Sequence, residues 1–178
     1  SRKKDNIYKA KKFLNAHGIK HLIDSKLKLP EFIVNKELKK FKKFYKPWIT
    51  IGFSCNKTAF MKNNLPYSFY RTWRPEYFSN LINLFLRNNK KINIFLIGAK
   101  NEINLAKKIK NKCNLPNKVT ISCNPLITNL AILAKSKCFI GNDSGPLNLS
   151  GAMGVKSFGL FGASPPIKNV RNIHAIVP

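Results

Sequence analysis

The stretch FIGNDSGPLNLSGAMG occupies residues 139–154 and decides how the chain folds. It is typical of a buried strand, a tight polar turn and a helix that opens at Pro146, where the missing N–H of proline costs nothing. The turn would place Asp143 and Ser144 at the carboxyl edge of a sheet, beside the N–H groups and the positive dipole end of the helix. This arrangement predicts a seat for a phosphate or pyrophosphate. A helix cap supplied by either side chain explains the same pattern and implies no ligand.

The chain from Trp48 onward alternates strand-like and helical segments. Apolar strand-like runs occur at 49–53, 92–97, 119–121, 138–140 and 157–161. Helical spacing of apolar residues separates these runs at 76–87, 102–112, 126–135 and 146–153. Strands that alternate with helices predict right-handed crossovers and a parallel sheet covered on both faces, so we expect a doubly wound α/β domain. Such sheets bind ligands at the carboxyl ends of their strands.

The first 47 residues follow a different pattern. Residues 6–17 place apolar side chains on one helical face before a glycine, which predicts a short amphipathic helix. Residues 19–47 are expected to be a connection, and residues 48–178 to form the α/β domain. The chain opens at Ser1 and stops at Pro178 just after an apolar run, so we expect it to be a piece of a longer protein, truncated at its carboxyl end.

Charge is the most unusual feature of the composition. The 178 residues include 33 Lys+Arg and 7 Asp+Glu, for a net charge of +26. A chain this basic ordinarily suggests a nucleic acid partner, because lysine and arginine release counterions from phosphates. The lysines are scattered through every segment, which favours a drift of the whole composition over a dedicated patch. The densest run, at 36–44, predicts either a basic amphipathic helix on an anionic membrane or a helix packed on the domain.

Several protein classes are disfavoured by the sequence. The longest apolar runs are far shorter than the roughly 20 residues that span a bilayer, and no export signal is apparent. The cysteines form no C-x-x-C pair and the histidines no metal-ligand spacing, which argues against a zinc site or a disulfide scaffold and indicates a reducing compartment. These residues are Cys55, Cys113, Cys123, Cys138, His17, His21 and His174. No Ser-His-Asp or G-x-S-x-G pattern supports a hydrolase.

Five further residues are expected at the same edge of the sheet. Arg71 lies in the loop after the first strand of the domain, where a guanidinium can hold a phosphate with two hydrogen bonds, although most arginines are surface charges. Glu102 follows the second strand at a helix start, and the helix dipole alone would favour a carboxylate there. Ser54 and Cys55 end the first strand, and Asn124 follows the third. Each of these last three is a weak signal.

Three motifs together resemble glycosyltransferase family 9, the lipopolysaccharide heptosyltransferase family. The stretch IGNDSGPLNLSGAMGVKSFGLFGASPP at 140–166 is similar to the family's N-D-S-G-P-x-H-L signature with its small-residue helix, L-F-G strand end and S/T-x-P. The pattern R-x-W-x-x-E-x-F at 71–78 resembles the family's K-x-W-P-x-E-x-F. The strand, Gly and Glu of IFLIGAKNE at 94–102 add to the likeness, which covers roughly 48–166.

The resemblance implies a Rossmann-like sheet that forms the carboxyl-terminal, donor-binding half of a GT-B fold. The segment 1–47 would then be a helix and connection from the end of a missing amino-terminal domain. By position in the motifs, the donor-binding residues would be Asp143, Ser144, Gly145, Pro146, Asn148, Arg71, Glu102, Ser54, Cys55 and Asn124. Among them Asn148 stands where the family usually has His, and Arg71 where it usually has Lys, which puts the identity of the sugar in doubt.

The same resemblance implies a metal-independent transfer of heptose from an ADP-activated donor to the inner core of lipopolysaccharide. No cofactor is expected, since the nucleotide sugar is a substrate, and the catalytic base is expected in the missing domain, so the fragment alone would be inactive. The other expected partner is an anionic glycolipid acceptor at the cytoplasmic face of the inner membrane, with peripheral membrane contact. The alternatives are a basic nucleic-acid-binding domain, a transferase of the same family using another nucleotide sugar, and a family member that only binds a ligand.

Overall fold

The computed structural model describes residues 26–41, 47–55, 72–162, 166 and 172–178, and a single parallel sheet lies at its centre. The strands are β1 (Trp48–Gly52), β2 (Asn93–Ile97), β3 (Val119–Ser122), β4 (Ser136–Asn142), β5 (Ser157–Leu160) and β6 (Ile173–Ile176). The α-helices are α1 (Glu31–Leu38), α2 (Pro75–Asn88), α3 (Ile103–Asn111), α4 (Leu126–Ala134) and α5 (Gly145–Ala152). Short 3-10 turns occupy Lys39–Phe41, Lys100–Glu102 and Pro116–Lys118. In this part of the chain, no helix has the length and apolar character that a transmembrane span needs.

The strand order is β3-β2-β1-β4-β5-β6, and every neighbouring pair is parallel. In the middle of the sheet Ile51 of β1 pairs with Leu96 of β2 on one side and with Ile140 of β4 on the other. The chain therefore builds the sheet outward in one direction from β1 and then in the other from β4. This doubly wound, Rossmann-like order confirms the predicted fold class and creates a crevice where the carboxyl ends of β1 and β4 diverge.

Apolar layers cover the sheet on its two faces. Helices α2 and α3 pack on one face through fully buried side chains such as Phe78, Ile82 and Ile109. Helices α1, α4 and α5 pack on the other face, where Ile132 and Leu147 are fully buried. With helices on both faces, the central strands β1 and β2 are buried along their whole length, as is typical of a parallel sheet.

Residues 31–41 are not the plain connection that the sequence suggested. They form α1 and a 3-10 turn, and Val34, Leu38 and Phe41 are 1%, 9% and 6% exposed within the core of the domain. The side chains of Glu31 and Glu37 bind α4 as well, at Lys135 and at Thr128. The described part of the basic run at 36–44 thus packs on the domain. Of the two alternatives that the sequence left open for this run, the structure therefore shows the helix packed on the domain.

One strand was missed by the sequence analysis, and one predicted helix falls on residues that the structure does not describe. The strand β6 joins the edge of the sheet by parallel pairing with β5, as in the pair Phe158 and His174. Its four residues are half-buried or exposed, so it lacks the continuous apolar run that identified the inner strands. The predicted helix at 6–17 falls outside the described residues. The other predicted strands and helices are confirmed to within about two residues at each end.

Candidate functional site

A pocket of about 410 Å³ lies at the carboxyl edge of the sheet, between the first turns of α4 and α5. The ends of β1, β2 and β3 form its floor, so it reaches the crevice where the strand order reverses. Six of the residues predicted from the sequence line it, namely Ser54, Glu102, Asn124, Ser144, Gly145 and Pro146. The fold thus brings together side chains that are up to 92 positions apart in the chain.

One wall of the pocket is apolar. It is formed by Ile97 at the end of β2, by Leu126, Leu130 and Leu133 along α4, and by Leu149 of α5. Leu126 is 62% exposed, so it presents a large apolar surface at this wall. Pockets that bind small organic ligands combine such a wall with a few convergent polar groups. None of these five residues was predicted, because their apolar spacing is equally typical of a helix or strand core.

A buried amide network fixes the β3 side of the pocket. The Oδ1 atom of Asn129 accepts a 2.7 Å hydrogen bond from the hydroxyl of Ser122, which accepts one of 2.9 Å from the amide of Asn124. The amide of Asn129 also donates to the carbonyls of Gly98 and Asn124, at 3.4 and 3.3 Å. The network joins the ends of β2 and β3 to α4. Asn129 was missed, although a lone amide in the apolar helix LITNLAILA was a usable signal.

Glu102 lies in the 3-10 turn that precedes α3, where its carboxylate faces back toward the end of β2. Its Oε2 atom accepts a 2.7 Å hydrogen bond from the backbone N–H of Ala99. A Cβ at Gly98 would lie 2.9 Å from that oxygen and 2.7 Å from the ring of Phe53, so only glycine fits there. Burial, followed by the carboxylate of Glu102, raises the pKa of the Cys123 thiol. Glu102 is therefore held rigidly as part of the pocket wall.

Ser144 is the residue before α5, in the position of a helix cap, but its hydroxyl does not cap the helix. The residue is 8% exposed, and its Oγ atom has no hydrogen-bond partner among the residues that the structure describes. Leaving a buried hydroxyl unpaired costs about 1–3 kcal/mol. Ser144 also lines the pocket, so a ligand there can supply the missing partner. Of the two roles that the sequence left open, the structure shows no helix cap by the Ser144 side chain, and the binding role stays a prediction.

Gly145 begins α5 and Pro146 follows as its second residue, one position later than the sequence suggested. A Cβ added to Gly145 would meet no described atom within 4 Å, and its backbone does not have the positive φ that favours glycine. Neither packing nor backbone geometry therefore requires glycine here. Because Gly145 has no Cβ, a ligand can approach the backbone N–H groups at the start of the helix.

Asn142 ends β4 and links three segments at the centre of the site. It is fully buried, its amide donates to the carbonyl of Phe53 at 3.2 Å, and its Oδ1 atom accepts from the N–H of Trp73 at 3.1 Å. The ends of β1 and β4 and the start of the α2 segment are thus fixed to one another. Asp143 follows directly, half-buried, with its N–H donating to the carbonyl of Leu160 at 3.3 Å. Asn142 was quoted in the sequence motif but given no role there.

The other predicted residues are placed as follows. Asp143 borders the pocket without lining it, as far as the described residues define its wall. Cys55 is buried with its sulfur 3.1 Å from the hydroxyl of Thr72, and it faces that residue rather than the pocket. Asn148 is exposed, and its amide donates back to the carbonyl of Ser144 at 3.2 Å. Arg71 lies outside the described residues.

The fold and the pocket together define a Rossmann-like α/β domain with a pocket at its topological switch point. More particularly, the chain belongs to glycosyltransferase family 9, the heptosyltransferase family, whose sequence model matches residues 37–171. The predicted family is thus confirmed. A search of curated proteins finds no match to the chain.

Solved structures of this family share the fold. The E. coli ADP-heptose LPS heptosyltransferase II superimposes with a TM-score of 0.70 at 16% identity, covering 86% of this chain and 44% of its own. The E. coli heptosyltransferase WaaC with ADP gives 0.61 at 18% identity, over 81% and 42% of the two chains. A family 9 glycosyl transferase from Veillonella parvula gives 0.64 at 15% identity, over 84% and 41%. The chain therefore spans less than half the length of these relatives.

Proposed function

We propose that the pocket binds the nucleoside diphosphate of a nucleotide-sugar donor, and that the chain is the donor-binding part of a heptosyltransferase. The observation that carries this proposal is the buried hydroxyl of Ser144, which lines the pocket and lacks a partner among the described residues. A phosphate oxygen is the acceptor that such a hydroxyl can satisfy. Gly145 next to it leaves room for that oxygen to reach the start of α5.

The charge distribution around this helix start suits a diphosphate. The first N–H groups of a helix have no partner within the helix, and together with the helix dipole they amount to about half a positive charge. The pocket lining also contains Lys100, an exposed cation on the opposite wall. We assign Arg71 to the phosphates as well, on the motif alone. We propose that these groups stabilise the departing diphosphate without a resident metal or another cofactor.

The nucleoside is assigned to the α4 side of the pocket. Leu126, Leu130 and Ile97 offer an apolar surface to the face of a base, while Asn124 and Glu102 offer polar groups to its edge or to the ribose. We expect adenine as the base because related proteins are described as ADP-heptose LPS heptosyltransferase II and as WaaC with ADP. Ser54 is expected to contact the donor at the end of β1.

In the proposed transfer, an acceptor hydroxyl oxygen forms a bond to the anomeric carbon of the donor sugar. The bond between that carbon and the diphosphate oxygen breaks, and ADP leaves with the electron pair. The hydroxyl proton goes to a base that we place in an amino-terminal domain outside this chain. Asp143, beside the pocket, is suited to accept hydrogen bonds from sugar hydroxyls, and Asn148 lies one helical turn after Ser144.

We propose the inner core of lipopolysaccharide as the acceptor and the cytoplasmic face of the inner membrane as the place of reaction. The net charge of +26 supports association with an anionic glycolipid, since the attraction is effective within about 8 Å at physiological salt. We further propose that residues 1–47 connect to the acceptor-binding domain and that residues 48–178 are the donor domain. Residues 31–41 nonetheless pack into the core of the donor domain.

The proposal is tested by calorimetric titration of the chain with ADP, ADP-heptose, GDP, UDP and a short DNA duplex at two salt concentrations. We expect saturable binding with a preference for ADP, and loss of ADP-heptose affinity in an Asp143→Ala variant. A preference for GDP or UDP would mean that the enzyme is a glycosyltransferase that uses a different nucleotide-sugar donor. Binding of DNA that collapses with salt, without a response to any nucleotide, would refute the donor site.

A further inference from the structure

Two large aromatic side chains are exposed beside the pocket, on the other side of the switch point. Trp73 is 38% exposed and Tyr77 is 49% exposed, with their ring centroids 5.8 Å apart at an angle of 70°. Trp73 also contacts the buried Phe78 edge-on at 5.6 Å, which anchors its ring at the start of α2. We call Trp73 and Tyr77 the aromatic ledge.

The ledge is connected to the pocket region by Asn142 at the end of β4. The N–H of Trp73 donates to the fully buried side chain of Asn142, which directly precedes Asp143 and Ser144. The ledge starts the helix on one face of the sheet, whereas α5 and the pocket lie on the other face. Asp143, in the turn between β4 and α5, directly follows the residue that binds Trp73 and directly precedes Ser144 of the proposed diphosphate seat.

The chemistry of the ledge fits a sugar ring. Pyranose rings present patches of C–H groups that pack on aromatic faces, and their hydroxyls hydrogen-bond at the rim. Tyr77 adds a phenol that can donate or accept such a bond, and aromatic residues of this amphipathic kind are favoured where one side is apolar and the other wet. Arg74 and Glu76, on either side of Pro75, are both exposed, so the surface beside the ledge carries one positive and one negative charge.

We propose that the aromatic ledge is a binding subsite for the saccharide of the acceptor, an inference that rests on the transferase function proposed above. Neither ring belongs to the described lining of the donor pocket. The ledge is also an open surface rather than a cavity, which suits a chain of sugars that continues into solvent better than a single enclosed sugar. An acceptor lying on it would approach the donor from the side of Asp143.

The position of the two tryptophans provides a direct assay. The chain has only Trp48 and Trp73, and Trp48 is 3% exposed. Quenching of tryptophan fluorescence by acrylamide therefore reports mainly on Trp73, and a Trp73→Phe variant gives the baseline of Trp48. The probes are a deacylated inner-core oligosaccharide of lipopolysaccharide and, separately, ADP. We expect the oligosaccharide to protect Trp73 from acrylamide and ADP to leave its quenching unchanged.

Affinities of variants complete the test. Trp73→Ala and Tyr77→Leu should each weaken oligosaccharide binding by about 2- to 10-fold, the size of one aromatic contact, with unchanged affinity for ADP. Phe32→Ala is the matched control, since Phe32 is an aromatic residue 73% exposed on α1, and it should change neither affinity.

The outcomes separate this proposal from the function on which it rests. Protection of Trp73 by ADP alone, or loss of ADP affinity in Trp73→Ala, would assign the ring to the donor and overturn the acceptor subsite. Binding of ADP without any binding of the oligosaccharide would overturn it too, while the donor site stands. A chain that binds no nucleotide would refute the proposed function itself, and the ledge proposal with it.

Discussion

The substitution Ser144→Ala separates a helix cap from a ligand-binding hydroxyl. A serine that caps a helix typically contributes about 1 kcal/mol, which alanine loses. The hydroxyl of Ser144 makes no capping bond and is buried without a partner in the described part of the structure, so its removal relieves an unpaired polar group. We therefore expect the free energy of unfolding of Ser144→Ala, measured by urea denaturation, to be unchanged or higher by up to about 1 kcal/mol.

Binding should change in the opposite direction. A hydrogen bond to a charged group is worth about 1.5–3 kcal/mol, so the loss of the bond between Ser144 and a phosphate should raise the Kd for ADP by roughly 10- to 100-fold. Calorimetric titration of the wild type and the variant with ADP measures this ratio. Unchanged or higher stability together with weaker ADP binding would show that the Ser144 hydroxyl bonds a ligand and not the helix.

Ser150 provides the matched control on the same helix. It is fully buried, but its hydroxyl bonds the carbonyl of Leu147 at 2.8 Å and the hydroxyl of Ser157 at 2.7 Å. Ser150→Ala should therefore lose about 1 kcal/mol or more of stability and keep its affinity for ADP. The reasoning is refuted if Ser144→Ala loses stability as a cap would and binds ADP as tightly as the wild type.

Three further predictions concern the pocket and the core. Gly98→Ala should lose about 1–3 kcal/mol of stability in urea denaturation, because its Cβ would lie 2.7 Å from the ring of Phe53, and an unchanged midpoint would contradict this contact. Gly145→Ala should retain its stability but bind ADP more weakly by calorimetry, and equal affinity would mean that no ligand approaches there. Burial raises the pKa of Cys113 from 9.0 to about 11, so the thiol keeps its proton in the folded chain while the unfolded chain loses it. As the pH rises between those two values, the free energy of unfolding of the wild type should fall relative to that of Cys113→Ala. If the free energies of unfolding of the two proteins change in parallel with pH, the pKa shift is refuted.

The inner strands and their helices could be predicted because burial on both faces leaves an unmistakable pattern. The run INIFLI at 92–97 has five apolar residues out of six, and so short an apolar segment between two amphipathic helices favours a central strand, which the structure shows as the fully buried β2. Helix α1 was predicted only in part, because the apolar spacing within 36–44 indicated a helix, whereas the residues before it, including Val34, were assigned to a connection. The strand β6 was missed because an edge strand needs no apolar run.

The site residues that directly follow strand ends were predicted from the sequence. The site residues that reach the pocket only through the packing of a helix on the sheet were missed. Ser144 was found by its place after β4, but the sequence could not say whether its hydroxyl bonds the helix, since both uses share one pattern. Asn129 and the leucines Leu126, Leu130 and Leu133 line the pocket because of the way α4 packs on the sheet, which the sequence alone does not show. Cys55 was placed at the right strand end, yet its side chain contacts Thr72 instead.

The most direct measurement is a crystal structure of the chain with bound ADP. The account predicts density for the diphosphate at the start of α5, with a phosphate oxygen within hydrogen-bond distance of the Ser144 hydroxyl and the base against Leu126 and Leu130. ADP seated elsewhere, or seated in the pocket with Ser144 still unpaired, would contradict the claim that this site holds the nucleotide of a sugar donor.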